Sequence, residues 1–257
     1  MKEYKLLTME RFDDGVVLMT LNNPPLNLMS PDLLFELRDV FKELSEDDTM
    51  RAVVLTGSKR SFCAGADVNS FGVFPRGTNT IIGQSVYNSI ESCRLPIIAA
   101  IEGHCLGGGL ELALCCDIRY ASETAKIGLT EANLSLIAAY GGNTRLPWLI
   151  GEGNAKRMFY TAARLSGEEA LRYGVVQECC APEELIDKAL ELAHLIATKA
   201  PRSITAAKKV MNGFRQDAFA AGMHRENEWC SFASRSQDAK EGFRALKEKR
   251  QPKFENR

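Results

Sequence analysis

A strand, a glycine-rich turn and a helix follow one another directly near the middle of the chain, and this succession constrains the fold most. The strand is the apolar run 97–101, the turn ends in Gly107, Gly108 and Gly109, and the helix carries Glu111. Glycines allow a backbone to approach a ligand closely, because no Cβ stands in the way. The first turn of a helix presents unpaired N–H groups that can bind an anion or an oxyanion. The segment therefore predicts a binding site where a strand ends and a helix begins.

A second turn of small residues and a second acid lie on either side of this segment. The turn, residues 62–67, follows a predicted strand, and the acid, Glu131, follows the short apolar segment 126–130. Two turns rich in N–H groups and two carboxylates are the parts needed for acid–base chemistry beside a polarised carbonyl. Each feature also has a structural explanation. A glycine turn can serve close packing alone, and the helix dipole favours an acid in a first turn.

The composition is that of an ordinary soluble protein, and the length is sufficient for one large domain or two small ones. The chain has 257 residues, 45% of them apolar and 25% charged, and its net charge of −1 gives no drive toward nucleic acid or an anionic membrane. No apolar run approaches the ~18 residues of a membrane span, and the first residues lack a signal-peptide core. We therefore expect a cytoplasmic protein that binds neither nucleic acid nor a membrane.

The eight cysteines include two adjacent pairs but no C-x-x-C spacing. Their neighbours are mostly apolar, which is typical of buried, reduced thiols in a cytosolic protein. The spacing of zinc ligands is missing, so the sequence predicts no metal site.

Strand and helix patterns alternate up to about residue 180, which predicts an α/β core over residues 1–182. Strands are predicted at 16–21, 52–57, 97–101, 118–121 and 127–129. Helices are predicted after the N-cap Ser30, at 77–92 and at 108–115. Beyond Pro182 the pattern is helical only, with helices predicted at 183–199, 202–212, 217–234 and 238–249.

Six motifs occur in order across nearly the whole chain: SFCAGAD at 61–67, the run 97–117 ending CCD, GLTE at 128–131, GGNTRL at 141–146, LSGEEALRYGVV at 165–176, and the tail 241–250 beginning EGF. Together they resemble the crotonase, or enoyl-CoA hydratase/isomerase, family. The resemblance implies a crotonase-like spiral of ββα units, followed by a helical C-terminal segment, 183–257, that packs between subunits of a homotrimer or homohexamer. Periodicity alone does not distinguish this spiral from a doubly wound sheet.

The resemblance also implies roles for the two turns and the two acids. The backbone N–H groups of Ala66 and Gly108 match an oxyanion hole that holds the thioester carbonyl oxygen of an acyl-CoA. Glu111 and Glu131 match the two acids of hydratases, in which one carboxylate deprotonates water for attack at Cβ and the other delivers a proton to Cα. The implied activity is that of an enoyl-CoA hydratase with no metal or redox cofactor, since coenzyme A is part of the substrate.

The resemblance further implies contacts with the coenzyme A portion. By position these involve residues from two loops and the C-terminus: Leu26, Ala64, Asp67, Val68, Asn69 and Lys249. Asn69 stands where many members carry a lysine. Lys249 matches a lysine that reaches a CoA phosphate in similar proteins, sometimes on a neighbouring subunit. A solvated lysine at a helix end is the alternative interpretation.

Tyr140 is the clearest departure from the family pattern. Many hydratases have an alanine at this position and a glycine where this chain has Ala139. A large ring here predicts a shortened or reshaped acyl pocket. Two alternatives remain: the phenol supplies a hydroxyl to the acid–base site, or the ring packs behind it.

Three other functions compete with hydration. An isomerase of the same fold would move the double bond with Glu131 alone as the proton shuttle. A non-catalytic module binding CoA esters or RNA is a second alternative, and the near-neutral charge argues against RNA. The stretch 103–109 fails the spacing of nucleotide-binding loops, so dinucleotide and ATP binding are disfavoured.

Overall fold

The computed structural model describes residues 3–70 and 78–254. Within these ranges it contains the strands β1 (Leu7–Arg11), β2 (Val16–Leu21), β3 (Ala52–Thr56), β4 (Ser61–Cys63), β5 (Ile97–Ile101), β6 (His104–Leu106), β7 (Ile118–Ser122), β8 (Lys126–Gly128) and β9 (Glu178–Cys180). The helices are α1 (Pro31–Glu46), α2 (Thr78–Glu91), α3 (Gly108–Cys115), α4 (Gly142–Ile150), α5 (Glu152–Tyr160), α6 (Gly167–Tyr173), α7 (Leu185–Ala197), α8 (Pro201–Ser234) and α9 (Gln237–Glu248). Single 3₁₀ turns occur at Val68–Ser70, Glu131–Leu134 and Pro182–Glu184.

The strands form two sheets. The large sheet has the order β1-β2-β3-β5-β7-β9 and is parallel except for the β1–β2 hairpin, and the small sheet has the order β4-β6-β8 and is parallel throughout. Successive strands therefore alternate between the two sheets: β3 and β4 precede α2, β5 and β6 precede α3, and β7 and β8 precede α4. This repetition is the predicted spiral of ββα units, and the doubly wound single sheet is excluded.

The central strands β3 and β5 of the large sheet are buried on both faces, which explains why they are nearly continuous apolar runs. On β3, Val53 and Leu55 belong to the main core, which also contains the buried faces of α1 and α2. Val54, between them, points to the opposite face, where Leu185 and Ala189 of α7 cover the sheet. The first helix of the C-terminal segment thus completes the core of the α/β part, and the proposed boundary at residue 182 stays a prediction.

Most elements with strong periodicity lie where the sequence places them. Helix α1 begins after Ser30, whose side chain accepts a hydrogen bond from the Leu33 N–H at 3.2 Å, and Pro31 occupies its first position. The predicted helix 77–92 is observed as α2, while residue 77 lies outside the described residues. None of the helices in the described ranges is long and apolar enough to cross a membrane.

The predicted division of residues 202–234 into two helices is wrong, because α8 runs unbroken from Pro201 to Ser234. The predicted break between residues 212 and 217 contains Gly213, but a glycine inside a helix costs only about 1 kcal/mol relative to alanine and is tolerated. Strands β1, β4, β6 and β9 and helices α4 to α6 were not predicted from the sequence. Of these, β4, β6 and β9 have three residues each, too few to give a periodic signal.

Candidate active site

The carboxyl ends of the three strands of the small sheet bring the predicted catalytic residues together. Strand β4 leads into Ala64 and Ala66, β6 leads into Gly107 and Gly108, and β8 leads into Glu131. Because these strands are parallel and β6 is the middle one, the Gly108 turn lies between the Ala66 turn and Glu131. The carboxyl edge of parallel strands is where α/β proteins place their ligands.

Each of the three consecutive glycines lies against a different part of this site. Gly107 has φ +52°, and a Cβ there would lie 2.9 Å from Oε1 of Glu131. A Cβ on Gly108 would lie 3.3 Å from the Ala66 nitrogen, and one on Gly109 would overlap the Cys63 carbonyl oxygen at 1.9 Å. The glycines therefore permit close packing and also bring the backbone against the acid and the second turn. Close packing accounts for Gly109, and the functional role of the turn stays a prediction.

The N–H groups of Ala66 and Gly108 are available for a ligand. Gly108 is the first residue of α3, so its N–H has no partner in the preceding turn of helix. Within the described residues neither N–H donates to another backbone carbonyl. The neighbouring groups are paired: the Met29 N–H donates to the Gly65 oxygen at 2.8 Å, and the Asp67 N–H donates to the Met29 oxygen at 3.1 Å. The two turns are held firmly while two adjacent donors remain open.

Tyr87 of α2 fixes Gly108 from behind. Its hydroxyl donates to the Gly108 carbonyl oxygen at 2.7 Å, and the whole side chain is buried. Burial raises the pKa of this phenol well above its ordinary value of 10.0, so it remains a hydrogen-bond donor. The sequence analysis did not identify Tyr87, because nothing in the local pattern of α2 distinguishes it from a core aromatic residue.

Glu111 lies in the first turn of α3 with its side chain 2% exposed. Its Oε1 accepts hydrogen bonds from the N–H groups of Tyr140, at 2.7 Å, and Gly142, at 2.8 Å. The carboxylate is thus joined to the turn that precedes α4, which is also where the chain departs from the family pattern.

Glu131 begins the 3₁₀ turn after β8, and its Oε2 is buried with no hydrogen-bond partner within the described residues. Burial raises the pKa of this carboxyl from its ordinary value of 4.5 to about 7. Burial and then the charge of Glu131 also raise the pKa of Glu111 well above its ordinary value, against the effect of its two N–H donors. Two carboxyls that repel each other in a dry site share a proton, and such a pair can divide acid and base roles.

The predicted coenzyme A residues cluster beside the Ala66 turn. The Ala64 N–H donates to the Leu26 oxygen at 3.0 Å, which joins the two loops. Asp67 caps the following 3₁₀ turn: its Oδ1 accepts the Asn69 N–H at 3.0 Å and the Asn69 side-chain amide at 3.1 Å. Leu26, Ala64, Asp67 and Val68 are half-buried and Asn69 is exposed, so they form one accessible edge next to the two open N–H groups.

Comparison with known proteins agrees with this arrangement. The family model described as enoyl-CoA hydratase/isomerase matches residues 11–257. The chain belongs to the enoyl-CoA hydratase/isomerase family. A probable enoyl-CoA hydratase of Bacillus subtilis (strain 168) is 37% identical over 247 residues, which are 94% of this chain and 96% of the relative. A crotonyl-CoA hydratase of Syntrophomonas wolfei subsp. wolfei is 34% identical over 256 residues, or 98% of each chain.

Solved structures agree with the spiral fold. The structure of Pseudomonas aeruginosa DspI has a TM-score of 0.81 and 36% sequence identity, and the match covers 99% of this chain and 98% of that one. The family resemblance and the crotonase-like fold are therefore confirmed. The family description includes isomerases as well as hydratases, so membership alone does not select the reaction.

In this enoyl-CoA hydratase/isomerase chain the Tyr140 ring occupies a notch on α2. A Cβ on Gly83 would lie only 2.5 Å from the ring, and Tyr87 meets the ring edge-on with centroids 5.4 Å apart at 79°. Within the described residues the Tyr140 hydroxyl hydrogen-bonds neither Glu111 nor Glu131. The geometry favours a role through shape over a role in proton transfer, and the effect on acyl specificity stays a prediction.

Lys249 does not lie beside the other residues predicted to contact coenzyme A. It is exposed and ends α9 with φ 53°, in the left-handed region. Helix α9 itself packs near the site, since Gly242 lies against Leu134 at the end of the 3₁₀ turn that Glu131 begins. No contact joins Lys249 to the coenzyme A edge within the described part of this chain, so its role on a neighbouring subunit stays a prediction.

A third buried carboxylate adjoins the site and was missed by sequence reasoning. Glu226 of α8 is 5% exposed, and its Oε2 accepts the Gly141 N–H at 2.9 Å. Its Oε1 accepts the hydroxyl of Thr144. Burial raises the pKa of Glu226 to about 7. Glu226 lies 85 residues from Gly141 in a long polar helix, and there it resembles any solvated acid.

Proposed function

We propose that this protein is an enoyl-CoA hydratase, which adds water across the 2,3 double bond of an enoyl-CoA thioester. The observation that carries the proposal is the convergence of two open N–H groups, Ala66 and Gly108, with two buried carboxyls, Glu111 and Glu131, at one sheet edge. The full-length relatives described above, named as hydratases, support it. Hydration needs both an acid and a base, and this edge supplies a carboxyl for each.

The two N–H groups act on the thioester carbonyl. Addition of water at Cβ moves negative charge onto the carbonyl oxygen as an enolate forms, and preorganised donors stabilise that charge. One such donor is typically worth about 3–4 kcal/mol of activation free energy. The hydrogen bond from Tyr87 to Gly108 and those from Met29 and Asp67 hold the donors in place before substrate arrives.

The two carboxyls divide the proton transfers. Glu111 is assigned as the carboxylate, because its two N–H donors oppose the burial that raises its pKa, whereas Oε2 of Glu131 has no donor. Glu111 orients water and takes a water proton as the oxygen attacks Cβ. Glu131 holds the shared proton, because no donor stabilises a charge on its Oε2, and it delivers that proton to Cα. The site gains one proton at Glu111 and loses one at Glu131, and the product is a 3-hydroxyacyl-CoA.

The coenzyme A portion lies along the edge formed by Leu26, Ala64, Asp67, Val68 and Asn69. This placement leaves the acyl end directed past Glu111 toward Tyr140. The proposed reaction uses no metal or redox cofactor, and coenzyme A enters only as part of the substrate.

The proposal also includes the oligomeric state and the cellular compartment of the protein. The protein acts as a homotrimer or homohexamer, in which Lys249 serves the coenzyme A phosphates of a neighbouring subunit. It works in the cytoplasm, where its eight cysteines, all of them free thiols in the structure, remain reduced.

Solvent-oxygen incorporation tests hydration against isomerisation. The purified protein is incubated with a series of 2-enoyl-CoA thioesters in water enriched in ¹⁸O, and the products are identified by mass spectrometry. Hydration places one solvent oxygen at C3 of the product. A double-bond shift without incorporation of oxygen would replace the proposal with the isomerase function, in which Glu131 acts alone.

A further inference from the structure

Three consecutive backbone N–H groups in the turn before α4 donate to two buried carboxylates. The N–H groups of Tyr140 and Gly142 donate to Glu111, while that of Gly141, between them, donates to Glu226. Gly141 has φ +104°, a conformation in the left-handed region that turns its N–H away from those of its neighbours. The turn is therefore clamped from both sides, by the catalytic carboxylate and by α8.

Burying a carboxylate costs folding free energy unless the carboxylate is hydrogen-bonded. The hydrogen-bond partners of a buried carboxylate therefore indicate which part of the structure it stabilises. Both oxygens of Glu226 are used on this turn and on the first turn of α4, through Gly141 and Thr144. The Arg145 side chain also stabilises this turn. It donates to the Tyr140 backbone carbonyl oxygen at 3.0 Å and forms an ion pair with Glu91 at 3.0 Å.

We propose that Glu226 is a positioning residue for the proposed hydration: it fixes the Tyr140–Gly142 turn and thereby the orientation of the Glu111 carboxylate. The proposal rests on the proposed function. It also gives α8 a role inside the active site of its own chain, in addition to any role between subunits. Removal of Glu226 leaves the Gly141 N–H without its acceptor. The turn then relaxes, and the N–H groups of Tyr140 and Gly142 no longer point at Oε1 of Glu111.

The substrate-binding edge lies on other loops, at Leu26 and residues 64–69. Loss of Glu226 is therefore expected to lower kcat and to leave KM nearly unchanged. A misplacement of about 1 Å at a catalytic group can cost on the order of 10²-fold in rate. We expect Glu226→Ala to lose roughly that much in kcat.

Glu226→Gln separates position from charge. Its amide oxygen can accept the Gly141 N–H, and its amide nitrogen can donate to Thr144, whose hydroxyl both donates and accepts. If Glu226 acts by position, Glu226→Gln keeps kcat within a few-fold of the wild type. A Gln variant as slow as the Ala variant would overturn the proposal in favour of an effect of the Glu226 charge.

Lys208→Met is the matched control. Lys208 is another buried charge of α8, and it donates to the Leu95 oxygen at 2.8 Å and to Asp117 at 2.7 Å, with no contact to the turn. This variant loosens α8 without touching the active site, and its kcat should stay near the wild-type value. A loss in Lys208→Met equal to that in Glu226→Ala would mean that any loosening of α8 slows the enzyme, and would overturn the proposal.

Two further measurements keep the proposal testable if Glu226→Ala does not fold or the protein hydrates nothing. Thr144→Val removes one donor to Glu226 and should lower kcat several-fold, while Thr144→Ser should restore it. An unchanged kcat in Thr144→Val would contradict the proposal.

If the wild type shows no hydration, the proposed function fails by itself. Hydrogen exchange at the Gly141 amide then decides the positioning role: Glu226→Gln should leave exchange slow and Glu226→Ala should accelerate it, and equal exchange in both would overturn the proposal.

Discussion

At the residue scale, the site is defined by polar atoms that lack partners inside the protein. The N–H groups of Ala66 and Gly108 and the Oε2 of Glu131 have no hydrogen-bond acceptor or donor within the described residues. Folded proteins satisfy nearly all buried polar groups, so a cluster of open ones indicates a place reserved for a ligand. A carbonyl oxygen would satisfy the two N–H groups, and a proton or a water would satisfy Glu131.

The pH dependence of the rate tests the role of Glu131. Its pKa is raised to about 7 by burial, so it carries a proton below that pH and loses it above. If Glu131 is the proton donor, kcat should fall as pH rises through about 7, approaching tenfold per pH unit on the basic side. Steady-state hydration between pH 5.5 and 9 measures this. A rate that rises across the same range would contradict the donor role of Glu131.

Substitution of Tyr140 tests whether its ring limits the acyl pocket. Tyr140→Ala should improve kcat/KM for longer or bulkier enoyl chains relative to short ones, by the ~1–3 kcal/mol per methylene-sized group typical of apolar pockets. Tyr140→Phe keeps the ring on Gly83 and should behave like the wild type, since within the described residues the hydroxyl hydrogen-bonds neither Glu111 nor Glu131. The measurement is a chain-length profile of kcat/KM. An unchanged profile in Tyr140→Ala would leave the ring with a packing role only.

At the element scale, the sequence predicts only β8 of the small sheet and misses β4 and β6, the two strands that lead into the Ala66 and Gly108 turns. The central strands β3 and β5 of the large sheet were predicted because both of their faces are buried and their residues are almost all apolar. Strands β4 and β6 have three residues each, too few for a period, yet their carboxyl ends carry Ala66 and Gly108. These two residues were predicted through motifs, whereas Glu226 and Tyr87 are joined to the site by tertiary contacts that have no local pattern.

The unbroken course of α8 predicts opposite effects of two substitutions at Gly213. A Cβ there meets nothing within 4 Å. Gly213→Ala should therefore raise the free energy of unfolding by about 0.5–1 kcal/mol, and Gly213→Pro should lower it by about 3 kcal/mol. Denaturant unfolding measures both. If Gly213→Pro were as stable as the wild type, the helix would have to end there, as the sequence pattern first indicated.

At the scale of the whole molecule, the C-terminal helices leave apolar surface open. Trp148, Leu195, Val210 and Met211 are each more than half exposed, and a groove of about 500 Å³ between α7, α8 and β7 is lined in part by Leu149, Ile196 and Ile204. Large exposed apolar patches mark contact sites in soluble proteins. Leu195, Val210 and Met211 lie on the segment for which the family resemblance implies subunit contacts, whereas Trp148 lies on α4.

The protein is predicted to form a trimer or a hexamer in solution. Light scattering at micromolar concentration should give three or six times the 28.4 kDa mass of one chain. Val210→Glu and Met211→Glu would place charges in this surface and should shift the protein toward smaller species. Exposed Leu171 on α6 provides the control, and Leu171→Glu should leave the mass unchanged. A monomer in the wild type would contradict the prediction and would remove any role for Lys249 across a subunit boundary.

The central claim is that two buried carboxyls at one sheet edge hydrate an enoyl-CoA, and it is tested most directly by their amide variants. Glu111→Gln and Glu131→Gln should each lower the hydration rate by roughly 10²–10⁴-fold, the range for a positioned acid or base. Both should remain folded, since each substitution keeps the shape of the side chain. Near-normal hydration by both folded variants would contradict the account, and loss in Glu131→Gln alone would favour the isomerase.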